Sequence, residues 1–146
     1  MVFRKFEYHH IPDIKRWSEH DSIKSRIAID DWDEYYEYAN NDDDTYLFAI
    51  YDGENFVGEF TTEKDDNKNC LHIALIINPQ FQRRGLGTKA LNYFKENVQL
   101  LIGTSPAYIH AGIENDNIAS VKCFSRAGYV NHGTGTDGEE CYLLYL

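Results

Sequence analysis

The sequence predicts a single α/β domain, a mixed sheet with helices packed on its faces, and three observations carry that reading. Leu71–Leu91 passes from an isoleucine-rich apolar run, through Asn78-Pro79, into a stretch whose Leu86, Ala90, Leu91 and Phe94 share a helical face, so a strand feeds a loop that becomes a helix. Asp52-Gly53 lies between two apolar runs, the pattern of an antiparallel hairpin. The chain has 146 residues, enough for one sizeable core and too few for two comfortable domains, so residues 1–146 are read as one domain.

The elements follow in order. Val2 to Glu7 alternates imperfectly and reads as a short first strand. Pro12 suits a first helical turn, and Ile14, Trp17 and Ile23 mark a helix or a pair of turns after it. A second helix fits Asp31 to Ala39, capped by Asp30 or Asp31, with Trp32, Tyr35, Tyr36 and Ala39 along one apolar face. Thr45–Tyr51 and Asn55–Thr62 are the hairpin strands, and a polar turn after Glu63 leads to the strand Cys70–Ile77. The helix that begins near Gln82 runs to about Val98. Ser105–Ile113 is the next strand, with Ile109, Ala111 and Ile113 on one face and Tyr108, His110 and Gly112 on the other. A helix over Ile118–Arg126 ends at Gly128, and strands at Tyr129-Val130 and Cys141–Leu146 flank a glycine-rich loop.

Composition limits the function classes. The apolar share of 42% with 14% aromatics argues against disorder. No run of about 18 apolar residues exists, which excludes a transmembrane helix, and the N-terminus lacks an apolar signal core, which makes the cytoplasm the expected compartment. Cys70, Cys123 and Cys141 are too widely spaced for a disulfide framework or a close zinc pair, and no metal is expected. His9-His10 reads as a polar surface turn. A formal charge of −10 disfavours nucleic acid and an anionic membrane as partners and suits a cationic one. A homodimer is compatible with this composition, with no residues assigned to its interface.

The loop before the long helix is the chemically pointed stretch. Gly85 and Gly87 open access to the backbone, so the free N–H groups of the first helical turn could point at an anion, and Arg83 and Arg84 add positive charge. There is no third glycine at dinucleotide-fold spacing and no Gly-Lys-Ser/Thr, so neither standard nucleotide motif is met.

Gln82-Arg83-Arg84-Gly85-Leu86-Gly87 resembles the Q/R-x-x-G-x-G/A motif of the GCN5-related N-acetyltransferases. Asn117 and Ser120, followed by Phe124, Arg126, Gly128 and Tyr129, resemble that family's second conserved segment, with Arg126 where lysine is common. The resemblance covers essentially the whole chain and implies an acetyltransferase-like fold using acetyl-CoA as cosubstrate. Its pyrophosphate would be held by Gln82, Arg83, Arg84, Gly85, Leu86, Gly87 and Thr88. The two wedge strands, Cys70–Ile77 and Ser105–Ile113, would splay apart so that the pantetheine arm pairs with backbone at Leu75 to Ile77, Ala74 and Gly112 keeping the space open. Asn117, Ser120 and Phe124 would complete the cofactor site.

The implied reaction is acetyl transfer to a primary amine, which needs a neutral nitrogen, oxyanion stabilisation and routes for two protons. The family's usual acid is a tyrosine at the position of Phe124, and phenylalanine has no proton to give. Tyr108, Tyr129 or a water are the remaining donors. Glu59, a carboxylate inside an apolar strand, and Glu114, His72 and His110 are candidates to move the other proton. Three readings stand: an N-acetyltransferase, a coenzyme A-binding regulatory domain without turnover, and a generic phosphate-ligand module. Eight carboxylates between Asp30 and Asp44, alongside Trp32, Tyr35 and Tyr36, point to a cationic acceptor such as an aminoglycoside, a polyamine or a lysine-rich peptide.

Overall fold

A computed structural model describes all residues from Met1 to Leu146. Seven strands form one sheet: β1 (Val2–Lys5), β2 (Thr45–Asp52), β3 (Asn55–Asp65), β4 (Cys70–Ile77), β5 (Tyr108–Ile113), β6 (Val130–Thr134) and β7 (Glu140–Tyr145). Their spatial order is β1-β2-β3-β4-β5-β7-β6, antiparallel throughout except for the β4–β5 pair. Five helices cover it: α1 (Ile11–Ser18), α2 (Asp21–Lys24), α3 (Trp32–Asn40), α4 (Leu86–Ile102) and α5 (Ile118–Arg126). None is long and apolar enough to cross a membrane.

The two faces of the sheet have separate cores. On one, Phe94, Leu91, Ala90 and Leu86 of α4 and Phe124 of α5 pack on Phe60, Leu71 and Ile109. On the other, Ile14 and Trp17 of α1, Ile23 of α2 and Trp32 and Ala39 of α3 pack on Ala49 and Ile76. The sequence pattern places all of these helices, but several element ends differ, β3 running on to Asp65 and β6 to Thr134 among them. α4 starts at Leu86 rather than Gln82, because Arg83 and Gly85 adopt left-handed φ values of 64° and 76° that no α-helix admits. It continues to Ile102, where Gly103 closes it. β5 begins at Tyr108 rather than Ser105. His10 also departs from expectation: it is buried, with Nε2 2.7 Å from the Tyr51 hydroxyl, whereas His9 stays exposed.

β4 and β5 run parallel for only three register pairs, Cys70 with Tyr108, Leu71 with Ile109 and His72 with His110. Beyond His72, β4 continues to Ile77 paired with β3 alone, and β5 continues to Ile113 paired with β7 alone. The wedge expected between these strands is thus present. Ala74, in the middle of β4, is exposed because its neighbouring strand has moved away.

Candidate active site

The wedge opens into a cavity of about 1480 Å³ that runs from the α4 N-terminus, across the splayed strands, to α3. That exceeds the ~300–1,000 Å³ of an ordinary single-ligand pocket and has room for two reactants.

At one end lies the loop before α4. Gly85 caps the helix with no side-chain cap, so the N–H groups of the first turn remain directed outward at the positive end of the helix. Gln82, Arg83, Gly85, Leu86, Gly87 and Thr88 all line this end. Their roles differ more than the motif suggests. Gln82 Nε2 donates to the Ile77 carbonyl at 3.1 Å and to Ser22 Oγ at 3.2 Å, tying the loop to β4 and α2. Arg84 stacks its guanidinium 5.3 Å from the Phe81 ring centre and does not line the cavity, which leaves Arg83 as the arginine of the loop that faces it. Gly85 would meet nothing within 4 Å if it carried a Cβ, so its left-handed backbone is what requires glycine. At Gly87 a Cβ would lie 2.7 Å from Cys123 Sγ, so there the requirement is close packing of α4 on α5. Arg83→Ala is expected to weaken coenzyme A binding at low salt, with the difference shrinking as salt rises; calorimetric titration at two ionic strengths checks it.

The middle of the cavity is walled by the free edge of β4, including Leu75 and Ile77, and by α5. Asn117 caps α5, its side chain accepting from the Ser120 N–H at 3.4 Å, and both residues line the cavity. Phe124 closes the wall from below, edge-on to Tyr129 with ring centres 5.0 Å apart. Tyr129 itself is buried behind Phe124, does not line the cavity, and its hydroxyl has no hydrogen-bond partner in the protein. Burial raises its pKa further, so it is poorly placed as an acid. Tyr108 is likewise outside the cavity. Tyr129→Phe is expected to leave turnover unchanged and to raise stability by about 1 kcal/mol, since it removes a buried unsatisfied hydroxyl; chemical denaturation and a thiol-release assay check both halves.

The floor toward α3 is set by strand register. Glu59, Thr61 and Glu63 of β3 stand opposite Ile76, Ala74 and His72 of β4, and paired residues point to the same face. The β2–β3 register slips at Val57, which lets Val57 and Phe60 both enter the α4-side core and turns Glu59 toward the other face. Glu59 is only 1% exposed and its Oε1 accepts from Thr61 Oγ1 at 2.5 Å. Burial pushes its carboxyl up to about 8, the Thr61 hydrogen bond acting in the opposite sense. Tyr35 and Tyr38 cover this floor from α3. Asp31, Glu34, Tyr35 and Tyr38 form one stripe at spacings of three and four, a signal present in the sequence but submerged under the apolar stripe of the same helix.

His72 and His110 meet at the far end of the floor, Nδ1 to Nδ1 at 2.9 Å, with His72 Nε2 3.0 Å from Asp65 Oδ2. Burial, with His72 alongside, lowers the His110 pKa. Four residue steps along the strand lead from Glu59 to Glu63, the register partner of His72, which is roughly 13 Å. Glu114 lines the cavity but is engaged by Arg26 at 3.3 Å, which also holds Asp116 at 2.7 Å. Of the acidic run, Asp30, Asp31 and Glu34 face the cavity; Asp33 pairs with Lys15, and Asp42 bonds Thr45. Trp32 is core rather than cavity wall. Glu63, Asp137 and Glu139 join the acidic side from distant segments, which no local pattern could announce.

The acetyltransferase (GNAT) family model matches residues 11–129. A curated relative, the uncharacterized N-acetyltransferase YfmK of Bacillus subtilis (strain 168), is 27% identical over 97% of this chain and 95% of its own. Among solved structures, aminoglycoside acetyltransferase AAC(6')-Ib in complex with coenzyme A and kanamycin superposes with a TM-score of 0.83 at 15% identity, over 99% of this chain and 94% of that one. Spermidine N-acetyltransferase from Vibrio cholerae, in complex with coenzyme A and spermine, gives 0.78 at 17% identity, over 99% and 94%. The splayed strands, the uncapped helix start and the matched length therefore agree: this chain belongs to the GNAT family of acetyltransferases.

Proposed function

We propose that the protein transfers the acetyl group of acetyl-CoA to a primary amine of a small cationic molecule, of the polyamine or aminoglycoside kind. One observation carries the reading: a single cavity has opposite charge at its two ends. Arg83, Lys122, Arg126 and the α4 N-terminus suit a phosphorylated cofactor, while Asp30, Asp31, Glu34, Glu63, Asp137 and Glu139 suit a cation. The acceptors named for the two structural relatives above are of that class, and their fold is shared. A lysine-rich peptide would meet the same charges at the mouth.

The residues fit acetyl-CoA on three counts: outward N–H groups at the start of α4, β4 backbone without a partner strand, and a hydrophobic wall at Leu75, Ile77 and Phe124. When bound, acetyl-CoA supplies an activated thioester. Glu59 then acts as the base that takes a proton from the incoming ammonium or its attacking nitrogen, with a pKa near working pH as that task requires. Thr61 donates to the carboxylate and holds it in place. Carboxylates farther along the floor bind the acceptor's remote charges, so that a polyvalent cation is aligned while one nitrogen stays free to attack. No side chain at Phe124 protonates the departing thiolate, so that proton comes from the attacking amine or from water.

An acceptor panel assayed for thiol release with saturating acetyl-CoA tests the reading. Polyvalent amines are expected to give the higher kcat/KM, with an advantage that shrinks as salt rises. A preference for neutral or anionic amines would overturn the cationic acceptor. Tight coenzyme A binding without thiol release for any amine would instead support the regulatory domain, to which Phe124 in place of tyrosine would then belong.

A further inference from the structure

The closed end of the β3–β4 hairpin holds three donors of different chemistry that the reaction does not use together. Asp65 and Cys70 are register partners, and His72 follows on the same face of β4. His72 Nε2 stands 3.0 Å from Asp65 Oδ2 and 3.8 Å from Cys70 Sγ, and the three ligand atoms lie within 4.8 Å of one another. Tetrahedral zinc, with Zn–S about 2.3 Å and Zn–N or Zn–O about 2.0–2.2 Å, needs donors roughly 3.3–3.6 Å apart. The two separations from His72 Nε2, 3.0 and 3.8 Å, bracket that range, and no pair of the three ligand atoms is farther apart than 4.8 Å.

We propose that Asp65, Cys70 and His72 bind one divalent transition metal ion of borderline softness, zinc being the natural occupant. A thiolate and an imidazole select against magnesium and calcium, whose ligands are oxygen. The support expected of a histidine ligand is in place, since the other ring nitrogen, Nδ1, is held by His110 at 2.9 Å. Access is also in place. A second concavity of about 550 Å³, lined by Asp44, Glu63, Lys64, Asp66, Asn67 and the two ligands Asp65 and His72, contains no apolar residue and leads to the site. Its carboxylates draw a cation inward, and its open side leaves the fourth coordination position to water. On binding, the metal replaces the Cys70 thiol proton, which is released to solvent, while His72 ligates through Nε2 as the neutral tautomer that carries its proton on Nδ1, where His110 Nδ1 accepts it. The ion clamps the four-residue turn between β3 and β4 and fixes the His72–His110 pair at the end of the acceptor floor.

The test uses the full-length chain without an affinity tag, stripped with a chelator, kept reduced, and titrated with cobalt(II) as a spectroscopic substitute and then with zinc. One equivalent of cobalt is expected to produce a thiolate-to-metal charge-transfer band and tetrahedral visible bands, which one equivalent of zinc abolishes. Cys70→Ser removes the charge-transfer band, whereas Cys123→Ser and Cys141→Ser keep it. His72→Gln and the milder Asp65→Asn each weaken zinc binding, and His110→Phe, with all three ligands intact, weakens it by about 10- to 100-fold while preserving the band. Circular dichroism confirms that each variant is folded. Absence of the band at one equivalent, its survival in Cys70→Ser, or binding that is lost in His9→Gln but not in His72→Gln would each overturn the site. None of these readouts requires turnover, so they stand or fall apart from the acetyl-transfer reading.

Discussion

Glu59→Gln is expected to make the protein a poorer catalyst and a more stable one. With Glu59 as the proposed base, its loss is expected to lower the rate by about 10²–10⁴-fold and to remove the ascending limb of the pH profile near about 8, leaving only that of the amine's own ionisation. Stability moves the other way. The folded carboxyl keeps its proton to about pH 8, whereas the unfolded one releases it near its ordinary 4.5. Between those values the folded state holds the extra proton, so the stability fully present below about 4.5 is lost as pH rises through about 8. At ~1.4 kcal/mol per pH decade, the penalty at pH 9 has a ceiling of about 5 kcal/mol. The amide carries no such penalty. Denaturation midpoints of the two proteins should therefore coincide near pH 4.5 and separate in favour of the variant above neutrality. Equal midpoints at pH 9 would mean that Glu59 is charged and well solvated when folded.

Gly87→Val is expected to abolish coenzyme A binding and to destabilise the fold by about 1–3 kcal/mol, the usual scale of overpacking. The first atom of any side chain there meets Cys123 Sγ at 2.7 Å, so the thiol must turn away or α5 must shift, and the branched valine adds bulk beside the cavity wall built on Asn117, Ser120 and Phe124. A paired substitution separates the two demands on this position. Adding Cys123→Ala to Gly87→Ala removes the sulfur and should restore the denaturation midpoint. If coenzyme A affinity returns with it, the glycine serves helix packing alone; if affinity stays low in a fully stable protein, the Cβ also obstructs approach to the helix amides. Recovery of neither would place the cause outside this contact.

The order of strands and helices was legible because each carries its own pattern. β4 is an apolar run ended by Asn78-Pro79, the hairpin has its Asp-Gly turn, and the glycine pair marks the helix start. The wedge was legible only through the family motifs, since nothing in Cys70–Ile77 or Tyr108–Ile113 says that their pairing stops after three rungs. What escaped depends on register or on distant segments. Glu59 faces the cavity because of a slip at Val57, and its alternation alone left both faces open. Arg83 and Arg84 are adjacent and chemically alike, yet a left-handed backbone at Arg83 sends one to the cavity and the other onto Phe81. Tyr129, a donor candidate, and Tyr35, read with the apolar face of its helix and with the acceptor, are likewise separated by packing. One lies beneath a packed aromatic ring, and the other sits on the side of α3 that overhangs the sheet.

The shortened β4–β5 pairing has a consequence for the lifetime of the protein. Three rungs and the packing of α4 and α5 are what join the β1–β4 half of the sheet to the β5–β7 half, so the seam is the natural place for the first opening motion. A molecule that lies in that gap binds only when the halves are together. Its occupancy therefore adds to folding stability by mass action, about 2.7 kcal/mol when free ligand is 100 times its dissociation constant. Resistance of the protein to proteolysis is then expected to rise with the concentration of a ligand that occupies the gap.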